Sequence, residues 1–193
     1  PANGKHMILF ASVLIFIGIS RHIPLDYPDL FNFSPVIAIF LFSGAYIKGH
    51  FSWMVPTIGV ILSDLFLSAF YGHKLVEPFM LVAWFSYALV FLSGKWMGTK
   101  GNIYKIGIYG LFSALLFHII TCSFSWLGNP AYVKNVSGLF QAIIFGEPGF
   151  PPSYLFLKNT VLGTLFFSYL FAYLAKFLSL QMHANLPIRV HAN

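Results

Sequence analysis

Between residues 7 and 180 the chain is a succession of apolar stretches, separated by short polar turns. A helix needs about 20 mainly apolar residues to cross the hydrocarbon core of a bilayer. Six stretches meet or approach that length: 7–23, 35–50, 53–71, 78–97, 103–126 and 154–180. Only 8% of the 193 residues are charged, against about 25% in a soluble domain, so the chain cannot cover itself with a water-compatible surface. The expected fold is an all-α integral membrane protein, a single six-transmembrane-helix bundle over 7–180. The ends, 1–6 and 181–193, read as tails, the first of them disordered.

Local signals divide the stretches. Pro24, Pro28 and Pro35 punctuate the first loop, Gly72-His73 ends the third helix, and Pro78 suits the first turn of the fourth. The second stretch is the shortest, and Lys48 reads as its snorkelling anchor. Lys5-His6 followed by apolar residues looks superficially like a signal peptide, but no small-x-small cleavage site follows, so it reads as a retained first helix. Residues 128–153 differ from the rest. Val136, Leu139, Phe140, Ile143 and Ile144 recur at helical spacing between two Gly/Pro-rich ends, which predicts a short amphipathic segment lying at the interface or folding back over the bundle.

The formal charge of +6 is scattered and forms no basic stripe, so nucleic acid is not an expected partner. The charges sort by topology instead. With six spans both tails share a side, and that side holds seven Lys/Arg and no acid: Lys5, Lys48, Lys95, Lys100, Lys105, Lys176 and Arg189. The other side holds Arg21, Lys74, Lys134 and Lys158, matched by Asp26, Asp29, Glu77 and Glu147. By the positive-inside rule both termini are cytoplasmic.

Within the membrane the polar residues gather at one depth, below the outer surface. Asp64 lies deep in the third apolar stretch, and an intramembrane acid is a functional-site hypothesis by default. Arg21, Asn32, Ser34, Trp84, His118 and Asn159 fall near its level on other helices. Two readings follow. In one these groups are interhelical glue: Arg21 pairs with Asp64, Asn159 crosslinks helices and His118 bonds a neighbouring carbonyl. In the other, Arg21, Asn32, Ser34, Asp64, Trp84, His118 and Asn159 line a substrate pocket open to the outside and roofed by residues 128–152 together with the first and third loops. Gly107, Gly110 and Ala114 predict close packing of the fifth helix, and Cys122, the only cysteine, reads as a packed hydrophobe. Hydrolase, zinc-protease and phosphate-loop motifs are absent, so an enzyme is not expected.

Asn32-Phe33-Ser34-Pro35-Val36, Phe42-Ser43-Gly44-Ala45, Pro56 with Ser63-Asp64, and Lys158-Asn159-Thr160-Val161-Leu162-Gly163 resemble the signature of a family of small bacterial transport proteins of the membrane. That family is similar to the substrate-binding S components of energy-coupling-factor vitamin transporters, above all to the solitary cobalamin-uptake S component. The resemblance covers about Arg21 to Lys176. It implies a six-helix bundle in the bacterial inner membrane with an outward site for a vitamin-sized substrate, cobalamin or a related corrinoid first. No intrinsic cofactor is implied. Asp64 matches a ligand-contacting Asp of the third helix. The cobalt-binding cysteine of the third loop has no counterpart here, and His73 is the residue of that loop that could ligate the metal. An energy-coupling module is the implied partner, although Ala11 is followed four residues on by Ile15, without the small-residue pair of docking S components. The alternative is an accessory subunit of a larger membrane assembly.

Overall fold

The computed structural model describes residues 15–24, 26–72, 74, 76–99 and 102–184. Among these there are α-helices and one 3-10 turn, and no strand. Helix α1 occupies residues 15–24; the 3-10 turn Pro28–Leu30 follows. Then come α2 (Val36–Tyr46), α3 (Phe51–Tyr71), α4 (Pro78–Met97), α5 (Ile103–Gly128), α6 (Val136–Ile144) and α7 (Ser153–Ala184). Four of them, α3, α4, α5 and the Ser153–Leu174 part of α7, are long and apolar enough to cross a membrane. The protein is a multi-pass helical membrane protein.

Helix ends form where the sequence leaves the backbone an alternative partner. Gly72 closes α3 in the left-handed conformation, at φ 68°. Pro78 opens α4, where its missing N–H is of no consequence. Asn102 Oδ1 accepts from the Lys105 amide at 2.8 Å and Asn135 Oδ1 from the Gly138 amide at 2.8 Å, capping α5 and α6.

The second helix departs from expectation. It has 11 residues, Val36–Tyr46, about 16 Å at 1.5 Å per residue, and Ile47 leaves it in extended conformation. Eight successive residues, Val36 to Ser43, are buried. A helix apolar on every side can be buried by protein as well as by lipid, and α2 is enclosed by α3, α4, α5 and α7. It is the axis of the bundle. Its closest neighbour is α4, and two glycines set the distance. A Cβ on Gly44 would lie 2.2 Å from the Phe91 carbonyl oxygen, and one on Gly94 2.1 Å from that of Leu41. Around this crossing Ile17, Phe40, Leu41, Val60, Val90 and Met97 form the apolar core. On the other flank Gly107, Gly110 and Ala114 bring α5 against α7: Ala114 is fully buried, and a Cβ on Gly107 would lie 2.4 Å from the Tyr169 hydroxyl.

Candidate functional site

Asp64 is buried on α3, and a lone carboxylate there would be strongly destabilising. Two helices supply its partners. Arg21 of α1 forms a salt bridge through Nη2 with Oδ1, and Trp84 of α4 donates its indole N–H to Oδ2 over 2.7 Å. Both carboxylate oxygens are thus engaged, and the acid joins α1, α3 and α4. The other terminal nitrogen of Arg21, Nη1, is buried and has no hydrogen-bond partner among the described residues.

Arg21 forms part of a cleft of about 220 Å³ in which Asn32, Ser34 and Tyr71 stand among apolar residues such as Phe31 and Leu67. Its rim is the segment joining α1 to α2. Asn32 takes φ 62° there, a left-handed turn that Asn tolerates better than most residues. The Ser34 hydroxyl accepts from the Val36 amide at 3.3 Å, leaving its own O–H free to donate. The Asn32 amide is exposed at the mouth and bonds no other described residue. The fold keeps this rim in place from α7. Asn159 Nδ2 donates to the carbonyls of Asp29 at 2.8 Å and Phe31 at 2.9 Å. One turn further on, Gly163 lets the backbone approach: a Cβ there would lie 2.9 Å from the Ser34 nitrogen.

The residues named from the sequence therefore separate into three groups. Arg21, Asn32 and Ser34 line the cleft, and Asp64 with Trp84 anchors Arg21 from behind. Asn159 positions the rim without lining the cleft. His118 lies elsewhere: its Nε2 bonds the Ile143 carbonyl at 2.8 Å, tying α5 to α6, and Cys122 Sγ lies 3.6 Å from the same nitrogen. Two of the contacts expected of interhelical glue are present, Arg21 with Asp64 and His118 with a neighbouring carbonyl, whereas Asn159 ties α7 to the first loop and not to another helix.

Of the expected roof, the first loop borders this cleft and the 128–152 segment does not. Helix α6 packs on α5 and α7, and no residue of 128–152 lines the cavity. The reason lies in the small residues Gly138 and Ala142, which form the face buried against the bundle, while Val136 and Phe140 point outward. The segment is closed on itself by Trp126 donating to the Val133 carbonyl at 2.9 Å, by Asn129 donating to Glu147 at 2.7 Å, and by Lys134 bonding the Trp126 and Asn129 carbonyls. Burial pushes the Tyr132 phenol above its ordinary range, and the Glu147 charge adds to this.

His73 lies outside the described residues. Among the described residues no group of three or more His, Cys, Asp or Glu side chains could hold a metal ion. His22 and Ser63 are not among the residues expected to line a site, although Ser63 lies at the depth of Asp64. His22 donates from Nδ1 to the Gly18 carbonyl at 2.6 Å; its Nε2 and the Ser63 hydroxyl are buried without partners among the described residues, beside a second groove between α1 and α3. The signal was available, since Ser63 precedes Asp64 and His22 follows Arg21.

Apolar helices around an Arg21–Asp64–Trp84 cluster, with a cleft at one end, define a helical membrane protein with a candidate site at the bundle end. The chain belongs to DUF6580, a family of unknown function whose model matches residues 2–186. Comparison with curated proteins and with solved structures finds no match.

Proposed function

We propose that the protein is a solute-uptake protein of the bacterial inner membrane, a six-span bundle of S-component type with both termini cytoplasmic. It takes its solute from the outer face into the cleft beside Arg21. The orientation rests on charge. The cleft lies at the end of the bundle where Asp26, Asp29 and Glu77 are found, and the opposite end carries Lys48, Lys95 and Lys105 without an acid.

One observation carries the reading: beside the cleft, Arg21 keeps a buried donor with no partner among the described residues. Asp64 has both oxygens occupied, whereas Arg21 Nη1, the Asn32 amide and the Ser34 hydroxyl have hydrogen bonds left to give. An unmade hydrogen bond at a buried donor costs about 1–3 kcal/mol. A solute oxygen entering the cleft supplies the missing acceptor. Helices held together by glue alone gain nothing from spare donors converging on one hollow.

The cleft favours a small solute. Its volume of about 220 Å³ lies below the ~300–1,000 Å³ of pockets that bury drug-sized ligands. A corrinoid, the first expectation from the resemblance, requires the 27–35 segment to part from α3. Mass spectrometry of small molecules released from gently extracted protein tests the assignment. A bound solute present in the wild type and lost in Arg21→Gln supports it, and corrinoid absorbance in the purified protein selects cobalamin. Identical extracts from the two proteins refute it.

A further inference from the structure

A third cavity, distinct from the cleft and from the α1–α3 groove, opens between α3 and α4. The two helices are joined by the Asp64–Trp84 bond, and a groove of about 380 Å³ lies between them on the side of Trp53 and Leu92. Phe40 of the enclosed α2, Val60 and Phe91 form its floor, while Trp53 and Leu92 flank it. Tyr87 lines both this groove and the cleft. A helix is about 10 Å across and too thick for such a space. A single hydrocarbon chain fits: at roughly the volume of a water molecule per methylene, ~30 Å³, the groove takes about a dozen carbons.

The end of the groove has a definite chemistry. Lys95, one turn beyond Phe91, holds its ammonium 5.0 Å from the centre of the Phe91 ring and has no carboxylate partner among the described residues. Short connections from α2 to α3 and from α4 to α5 put Lys48 and Lys105 at the same end, and no acidic residue lies there. Trp53, 49% exposed, stands at this end of α3, the position that amphipathic indole rings take at a headgroup boundary. An apolar channel that ends at an unpaired cation matches an acyl chain carrying an anionic head.

We propose that the α3–α4 groove is a binding site for an anionic glycerophospholipid, with one acyl chain lying over Phe40 and Val60 and the phosphate at Lys95. The site is independent of the solute cleft. Attraction of about 1 kcal/mol between a lysine and an anionic bilayer surface corresponds to a preference of about fivefold over a zwitterionic lipid.

Tryptophan quenching tests the site. A Trp96→Phe/Trp126→Phe protein, in which only Trp53 and Trp84 report, is reconstituted with phosphatidylglycerol or phosphatidylcholine carrying bromine on the acyl chain. Half-maximal quenching is expected at about fivefold less phosphatidylglycerol, with the preference lost in Lys95→Gln and kept in Lys95→Arg. Ala88→Phe, which fills the groove, should reduce quenching by both lipids. Equal quenching by the two lipids, a preference that survives Lys95→Gln, or no quenching at all overturns the proposal.

Discussion

Trp84 donates its indole hydrogen to Asp64 across 2.7 Å, and this bond connects the apolar interior of α4 to the polar cluster of α1 and α3. The carboxylate is then held between a cation and a neutral donor, and its burial is compensated on both oxygens. Removing either partner has a different consequence.

Asp64→Asn leaves the Arg21 guanidinium without its counter-charge. Breaking a buried pair from one side costs about 3–5 kcal/mol, so thermal unfolding in detergent should show a large loss. Trp84→Phe keeps the ion pair and removes one hydrogen bond to a charged group, worth about 1.5–3 kcal/mol. The smaller loss for Trp84→Phe, measured in the same assay, is the expected order.

Asn159→Ala removes both hydrogen bonds that fasten the cleft rim to α7. The helices do not depend on them, so helix content should persist. Hydrogen exchange should accelerate at the Phe31 and Phe33 amides, which bond Pro28 and Leu30 carbonyls in the rim, and solute binding should weaken. Unchanged exchange there would show that Asn159 does not set the rim.

Gly94→Ala places a methyl group against the Leu41 carbonyl, backbone against backbone. Overpacking commonly costs about 1–3 kcal/mol, and here neither side can rotate away. A loss at the upper end of that range is expected. Gly98→Ala, where the added Cβ meets nothing within 4 Å, should reveal only the strain of its positive φ.

Alkaline pH should loosen the α6 segment. Tyr132 is buried with its phenol above the ordinary range, so the folded state holds the proton more tightly than the unfolded chain. The stabilisation is complete below the ordinary tyrosine pKa of about 10 and is lost as pH rises through the folded value. Limited proteolysis between α5 and α7 should accelerate in that alkaline range, and Tyr132→Phe should abolish the acceleration.

Much of the helical layout was readable because turn chemistry marked it. Pro78 and Gly98 bracket α4 at the limits expected, 78–97, and α3, α5 and α7 depart by a few residues at their ends. Helix α2 was not readable in length, because apolar composition does not distinguish a helix surrounded by lipid from one surrounded by helices. The Arg21–Asp64 pair was legible as two isolated opposite charges within reach in depth. The role of Asn159 was half legible: its crosslinking was foreseen, but its partners are backbone carbonyls of the first loop, which side-chain patterns do not announce. The same holds for α6, whose buried residues are Gly138 and Ala142, while Val136 and Phe140 face outward and Leu139, Ile143 and Ile144 are half-buried.

Whether the hollow beside Arg21 opens to the exterior and accepts a solute is measured most directly by thiol labelling. Ser34→Cys in a Cys122→Ala background places one reactive group in the cleft. A membrane-impermeant maleimide added to intact cells should modify it rapidly, and the solute that copurifies with the wild type should slow the reaction. A cysteine that stays unmodified from outside, or that reacts at the same rate with and without that solute, would contradict the assignment.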